Sequence, residues 1–118
     1  MTVELTLAPK QKRPAGEPCC EPLVYPAVDR EKAERIAEVA KALSDPVRVQ
    51  VVDVLRKHAG QVCVCELVPL FDIAQNTLSH HLKRLRDAGV VGVERRGLFA
   101  YYYVNPEALE EIDSWLNR

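Results

Sequence analysis

The segment that ends at Gly89 most strongly constrains the fold, because its apolar residues repeat at the spacing of a helix. Leu78, Leu82 and Leu85 recur at steps of four and three, which places them on one buried side of a helix. Polar and cationic side chains occupy most of the other positions, and Gly89 is placed to end the helix in a left-handed conformation. The segment is therefore predicted to be an amphipathic helix with one face in the core.

The polar face of this helix carries side chains suited to the major groove of DNA. Short hydroxyl and amide groups near its start are followed by cations, and these groups donate hydrogen bonds to base edges and phosphates. A reading helix enters the groove with its N-terminus first. An ordinary solvated helix has a similar pattern, so this segment alone leaves both interpretations open. The predicted DNA-contacting residues are Gln75, Asn76, Thr77, Ser79, His80, Lys83 and Arg84.

Two cysteines, Cys63 and Cys65, precede the predicted reading helix. Inside a regular helix a step of two turns the side chain by about 200°, so both thiols face one ligand only in an extended or pre-helical segment. We expect the pair at the start of a short helix over residues 66–71. Unpaired amides and the helix dipole at such a position lower the pKa of a thiol. The alternative is that both cysteines are buried core residues.

Size and composition predict one small globular domain preceded by an arm. The chain has 118 residues, of which 47% are hydrophobic. Residues 1–28 hold five of the eight prolines and are predicted to be a flexible arm that carries Cys19 and Cys20. There is no apolar run of roughly 20 residues and no signal pattern, so we expect a cytoplasmic protein with no membrane contact. Reduced thiols in that compartment favour metal or redox chemistry over disulfides.

Three further helices follow from capping signals and periodicity. Residues 29–43 have a helical apolar pattern. Asp45 followed by Pro46 predicts the start of a second helix that continues to His58. Asn105 is predicted to cap a last helix with an apolar side. A single small domain has little core on which to bury the apolar sides of both the first and last helices, which favours a two-fold dimer.

A β-hairpin is predicted between the reading helix and the last helix. Residues 90–94 and 98–104 have the composition of strands, with Arg95, Arg96 and Gly97 as the turn. Residues 79–96 hold five cationic side chains against two acidic ones, although the whole chain has a net charge of −1. A locally basic face can bind phosphate on a nearly neutral protein. Arg95 and Arg96 are therefore predicted to contact the DNA backbone or minor groove.

Four motifs, in this order and spacing, resemble the signatures of ArsR/SmtB-family metal-responsive repressors. The resemblance covers roughly residues 29–116 and implies a winged helix-turn-helix, mostly α with a small β-hairpin, in residues 29–118. It also implies a homodimer formed through the first and last helices that represses transcription from double-stranded operator DNA. The motifs are Asp45-Pro46-Val47-Arg48, Cys63-Val64-Cys65-Glu66-Leu67, Thr77-Leu78-Ser79-His80-His81-Leu82-Lys83 and Leu85-Arg86-Asp87-Ala88-Gly89.

The cysteines predict a site for a soft ion, and their number leaves its identity open. Three sulfurs suit trivalent arsenic or antimony, whereas four suit Cd(II), Pb(II) or Zn(II). The resemblance implies that the motif around Cys63 and Cys65 binds arsenic or cadmium, with Cys19 or Cys20 completing the site from the opposite subunit. One arsenic-binding pattern has a third cysteine where this chain has Val68. If three ligands are needed, the arm must therefore supply at least one.

The predicted function is repression that ends when As(III) or Sb(III) binds the cysteine thiolates. Two alternatives keep the DNA-binding domain: a Cd(II)- or Pb(II)-responsive repressor with a four-cysteine site, and a repressor that responds to thiol oxidation. A thiol oxidoreductase or metal-sequestering protein belongs to another class. The sequence lacks a Cys-x-x-Cys pair, a Gly-rich cofactor loop and a nucleophile with a base, so we do not expect an enzyme.

Overall fold

The computed structural model describes residues 29–58 and 62–117. These residues form helices around a small antiparallel sheet. In chain order they are α1 (Arg30–Ala42), α2 (Pro46–Lys57), β1 (Val62–Cys63), α3 (Val64–Leu67), a 3₁₀ turn (Val68–Leu70), α4 (Gln75–Asp87), β2 (Val91–Arg96), β3 (Phe99–Val104) and α5 (Pro106–Leu116). None of the helices in the described ranges is long and apolar enough to span a membrane.

The first two helices begin at the aspartates that the sequence indicates. The Asp29 side chain accepts a hydrogen bond from the Lys32 amide at 3.0 Å. The Asp45 side chain accepts from the amides of Val47 at 2.8 Å and Arg48 at 3.3 Å. A side chain that satisfies the otherwise unpaired amides of a first turn fixes where a helix starts. The predicted helices are confirmed to within one residue at their described ends.

The leucine stripe of α4 forms the centre of the core. Leu78, Leu82 and Leu85 are fully buried, as are Val51 of α2 and Leu67 of α3. Because α4 packs through this stripe, its opposite face is free to point away from the domain. The predicted amphipathic helix and its core side are confirmed.

The sheet has three strands in the order β1-β3-β2, and both pairs are antiparallel. The β2–β3 hairpin, here called the wing, confirms the prediction, whereas the sequence did not predict β1. Val62 pairs with Tyr102 and Cys63 pairs with Tyr101. Two residues are too few to show the alternation by which a strand is recognised in a sequence.

The turn of the wing differs from the prediction. Arg95 and Arg96 were expected in the turn, but both belong to β2 and pair with Ala100 and Phe99. The turn consists of Gly97 and Leu98, and Gly97 adopts a left-handed φ of 61°. A two-residue hairpin loop needs such a conformation, which glycine reaches without strain, so the strands continue up to it.

Two other local predictions are corrected. The third helix begins at Val64 rather than residue 66, and Pro69 lies in the 3₁₀ turn that follows it. Asn105 precedes α5 but makes no capping hydrogen bond. Its side-chain amide instead donates to the Gly89 carbonyl at 3.0 Å, and its backbone amide donates to the Val90 carbonyl. These bonds tie the start of α5 to the end of α4.

The first and last helices lie against each other and keep part of their apolar surface exposed. Arg35 of α1 forms a two-pronged ion pair with Glu111 of α5, with nitrogen–oxygen distances of 3.0 and 3.2 Å. Trp115 and Leu116 near the end of α5 retain 51% and 66% of their accessible surface. Several small apolar residues of α1 are also exposed: Ala33, Ala37 and Ala40.

Gly92 is expected to be required for the packing of the wing. It pairs with Tyr103, whose ring occupies the space into which a Cβ atom at position 92 would project. Replacing Gly92 with alanine must displace that ring, so we expect a loss of about 1–3 kcal/mol in unfolding free energy, measured by urea denaturation. In a Tyr103→Ala background the same replacement should cost less than half as much. Equal costs in the two backgrounds would contradict this account of the packing.

Candidate nucleic-acid interface and metal site

The two thiols lie side by side at the junction of β1 and α3. Cys63 has an extended backbone (φ −71°, ψ 146°) and immediately precedes the helix. Its Sγ atom lies 2.7 Å from the Sγ atom of Cys65, which donates a thiol hydrogen bond to it. Cys63 is 6% exposed, whereas Cys65 is open to solvent. This backbone places both sulfurs on one side, where a single thiophilic ion can reach them.

Cys63 also caps α3. Its sulfur accepts a hydrogen bond from the Cys65 amide at 3.4 Å, and its own amide donates to Glu66 Oε1 at 3.1 Å. This reciprocal arrangement is a capping box in which sulfur takes the place of a serine or threonine oxygen. The three-residue spacing from Cys63 to Glu66 is the sequence signal that locates the helix start. It was missed because the usual pattern begins with a hydroxyl residue.

The expected lowering of thiol pKa is wrong for Cys65. The hydrogen bond to Cys63 raises the pKa of the Cys65 thiol, and partial burial and the charges of Cys63 and Glu66 raise it further. These effects exceed the opposing effect of the hydrogen bond from the Cys65 backbone amide, which lowers the pKa. An ion that binds Cys65 as a thiolate must therefore displace a proton.

The described residues supply two sulfur ligands and no complete site. No group of three or more His, Cys, Asp or Glu side chains within residues 29–58 and 62–117 is arranged to hold a metal ion. Two adjacent thiols fit the donor set of a soft ion, which needs at least one more sulfur to close its coordination. The other two predicted ligands, Cys19 and Cys20, lie outside the described residues.

The polar face of α4 is open to solvent along its length. Ala74 precedes the helix and provides no side-chain cap. The face includes a shallow depression between its hydroxyl, amide and cationic groups, lined by Asn76, Thr77, Ser79, His80 and Lys83. All seven α4 residues predicted to contact DNA are exposed: Gln75, Asn76, Thr77, Ser79, His80, Lys83 and Arg84. The helix thus presents donors over its first turns and cations further along.

A second depression joins α4 to α1 and adds a cation that sequence analysis missed. Lys41 of α1 lies in it beside His80, Lys83 and Arg84. Glu38 and Asp87 also line this depression and reduce its positive potential. Because Lys41 lies about forty residues from the others in sequence, nothing in its local pattern indicates that they share a surface.

The predicted DNA-contacting arginines of the wing are exposed near its turn. Arg96 Nε lies 3.3 Å from Glu94 Oε1. The guanidinium carbon of Arg96 also lies 5.4 Å from the centre of the Tyr101 ring, within the range of a cation–π contact. Arg95 and Arg96 occupy the last two positions of β2, just before the turn.

Polar contacts link α4 to the corner between α1 and α2. Arg48 Nε donates to the Ala42 carbonyl at 2.6 Å, and Arg48 Nη1 lies 3.2 Å from Nδ1 of His81. His81 Nδ1 is also 4.0 Å from Asp45 Oδ1. His81, unlike its neighbour His80, is thus held by contacts within the domain. The Arg48 guanidinium therefore makes its contacts within the domain.

Comparison with known proteins places this arrangement in a family. The family model described as "Bacterial regulatory protein, arsR family" matches residues 45–93. The arsenical resistance operon repressor of Staphylococcus xylosus is 36% identical over 84 residues, which is 71% of this chain and 79% of that protein. The chain belongs to the ArsR family. It is a transcriptional regulator of the DNA-binding class and not an enzyme.

Other relatives of this ArsR-family chain have varied descriptions. An uncharacterized HTH-type transcriptional regulator of Methanocaldococcus jannaschii is 37% identical over 82 residues, 70% of this chain and 91% of that protein. A Staphylococcus aureus protein named as a cadmium resistance regulatory homolog is 34% identical over 77 residues, 65% of this chain and 63% of that protein. The relatives thus include regulators of both arsenical and cadmium resistance.

The fold class of this ArsR-family chain is confirmed by a solved structure. A Mycobacterium bovis structure is described as a homodimeric winged helix-turn-helix DNA-binding domain of a possible ArsR-family regulator. It superimposes with a TM-score of 0.61 at 26% identity, covering 76% of this chain and 85% of that one. In a winged helix-turn-helix, β2 and β3 correspond to the wing, and α4 corresponds to the second helix of the helix-turn-helix.

Acid is expected to weaken this ArsR-family domain partly through Asp45. Partial burial raises the pKa of Asp45, but amide hydrogen bonds from Arg48 and Val47 and the charges of His81 and Arg48 outweigh it and lower the pKa. A lowered folded-state pKa contributes stability that is present above the unfolded value of about 3.9 and is lost as pH falls through the folded value.

The substitution Asp45→Asn isolates this effect, because asparagine keeps a capping oxygen but does not titrate. Wild type should be more stable than Asp45→Asn above about pH 5, and the difference should shrink as pH falls below about 4. Urea unfolding of both proteins across this range measures the difference directly. A difference that stays constant down to about pH 3 would contradict the assigned role of the Asp45 charge.

Proposed function

We propose that this protein represses transcription as a homodimer on operator DNA and is released when As(III) or Sb(III) binds its cysteine thiolates. The observation that carries the proposal is the position of the Cys63–Cys65 pair. Cys63 caps α3, the last α-helix before α4, and its sulfur lies beside that of Cys65 in the first turn of α3. An ion held there acts on the segment that supports the DNA-binding helix.

The proposed DNA contacts follow from the exposed groups of α4 and the wing. Gln75, Thr77, Ser79 and His80 offer donors and acceptors to base edges in the major groove. Cationic side chains contact phosphates and fix the register of the helix on the duplex. These cations are Lys83, Arg84, Arg95 and Arg96, and Asn76 adds a neutral donor at the start of α4.

The proposed dimer joins two copies through α1 and α5. Trp115 and Leu116 are more than half exposed in a single chain, and Ala33, Ala37 and Ala40 expose a small-residue side of α1. Burial of these surfaces against a second copy supplies an apolar interface. A two-fold axis through it separates the two α4 helices by about one turn of DNA, the spacing at which they enter successive major grooves.

The arm is proposed to complete the ion site. Cys63 and Cys65 provide two sulfurs, and As(III) or Sb(III) takes three, so one of Cys19 and Cys20 is sufficient. Cd(II) or Pb(II) in a four-sulfur site needs both. The arsenical resistance repressors among the relatives support the three-sulfur site, and the cadmium resistance homolog supports the four-sulfur site as an alternative. A reducing cytoplasm keeps the four thiols available for either ion.

The first test is fluorescence anisotropy of the reduced full-length protein on DNA from upstream of its own gene. Arsenite, Cd(II), Pb(II) and Zn(II) are added separately at constant salt, because salt alone changes phosphate-dominated affinity. Release by arsenite at stoichiometric concentration supports the proposal. Release by Cd(II) or Pb(II) but not by arsenite replaces it with the four-sulfur alternative. Release by peroxide alone, reversed by a thiol reductant, replaces it with a redox trigger.

A further inference from the structure

We infer that Tyr101 couples the thiol site to the wing, so that ion binding withdraws the wing arginine Arg96 from DNA. This inference rests on the proposed function and adds a route for its regulation. The obvious route runs along the chain from α3 to α4. The sheet provides a shorter one, because Cys63 is itself a strand residue paired with the wing.

One row of side chains crosses the sheet from the thiol site to the wing. Cys63 of β1 lies opposite Tyr101 of β3, and Tyr101 lies opposite Glu94 of β2. Directly opposed residues of antiparallel strands project from the same face and contact each other. Tyr101 is therefore the single residue between the metal-ligand candidate Cys63 and the outer strand of the wing.

Arg96 is held at the far end of this row. It is two residues beyond Glu94 in β2, so both side chains project from the same face. Its guanidinium lies 5.4 Å from the Tyr101 ring centre, and its Nε lies 3.3 Å from Glu94 Oε1. The ring and the carboxylate together fix the direction of a cation that is otherwise exposed.

Ion binding changes the Cys63 end of the row. An ion shared by two cysteine sulfurs takes the place of their thiol protons, because it binds the thiolates. The sulfurs of Cys63 and Cys65 are 2.7 Å apart, held by the thiol hydrogen bond that binding removes. Replacing this hydrogen bond with two bonds to an ion changes how the Cys63 and Cys65 side chains are held relative to each other. Because β1 has two residues and pairs with β3, this change reaches Tyr101 directly.

The test measures two quantities in three variants: how strongly arsenite weakens DNA binding, and how tightly the protein binds arsenite. Tyr101→Leu removes the ring, Tyr101→Phe keeps it, and Tyr103→Leu removes the next ring on the same face of β3, which lies over Gly92 and not beside Cys63. For each reduced full-length protein, DNA affinity is measured without and with saturating arsenite. Arsenite affinity is measured separately on the DNA-free protein from thiolate–arsenic absorbance.

The ratio of the two DNA affinities is the coupling factor, and typical values for allosteric proteins are about 5–150-fold. Tyr101→Leu should lower this factor to less than about a fifth of the wild-type value while arsenite affinity changes by less than about threefold. Tyr101→Phe and Tyr103→Leu should keep it. If Tyr101→Leu keeps the wild-type coupling factor, the inference about Tyr101 is overturned and the proposed function is unaffected. Absence of release in wild type overturns the proposed function and this inference together.

A second measurement applies even if Tyr101→Leu does not fold. Wild-type protein labelled with 3-fluorotyrosine gives four ¹⁹F resonances, one for each of its four tyrosines. The Tyr101 resonance is assigned with Tyr101→Phe. Arsenite added without DNA should shift this resonance more than that of Tyr103. An unchanged Tyr101 resonance under saturating arsenite overturns the inference.

Discussion

Replacing Cys63 with serine is expected to abolish release from DNA by arsenite while leaving ion-free DNA binding within about threefold of wild type. Serine is among the best helix-capping residues, so its oxygen can take the place of the Cys63 sulfur in the capping box of α3. The substitution removes one of the two adjacent thiols and no part of the proposed DNA surface. Typical coupling of about 5–150-fold should fall to about one.

Anisotropy titrations of the variant with DNA and arsenite measure both quantities. Cys65→Ser should behave in the same way, because the two sulfurs act as a pair. Val64→Ala lies between them and removes no sulfur, so it serves as a matched control that should still be released. Release of Cys63→Ser at the wild-type arsenite concentration would show that the ion binds elsewhere.

Replacing Leu82 with alanine is expected to cost the domain about 2–5 kcal/mol of unfolding free energy. Leu82 is fully buried at the centre of the α4 stripe, so truncation leaves a cavity in addition to the lost transfer energy. Domains of this size are stable by about 5–15 kcal/mol, so the loss is a large share of the total. Urea denaturation at neutral pH measures it.

Leu98→Ala is the matched control for this substitution. Leu98 lies in the wing turn and retains 98% of its accessible surface. The same chemical change there should alter stability by less than about 0.5 kcal/mol. Similar costs at positions 82 and 98 would mean that burial does not distinguish the two leucines and would contradict the assigned core.

The parts of the fold that sequence predicted correctly depend on signals a few residues apart. Asp45 followed by Pro46 marks a helix start because the cap and the first turn are contiguous. Leu78, Leu82 and Leu85 indicate a buried face because one helix brings them together. These local relations are complete in the sequence, and the structure agrees with them.

The parts that sequence did not predict depend on pairing between distant segments. Strand β1 exists because Val62 and Cys63 bond to β3, almost forty residues later. Asn105 was expected to cap α5, but its amide bonds to Gly89 at the end of α4. The proximity of Lys41 to the cationic residues of α4 likewise results from tertiary packing. The roles of the cysteines and of the DNA-contacting residues stay predictions, which the titrations with DNA and arsenite test.

Cys63 has three roles at once, which limits the substitutions that its position tolerates. It ends a strand, accepts the first hydrogen bond of a helix and faces the second thiol. Serine and threonine preserve the first two roles, whereas an aliphatic residue preserves only the strand. In a mutational library selected for folding alone, position 63 should therefore retain a narrow set of small capping residues. Position 65 is exposed and should vary widely until selection also requires a response to the ion.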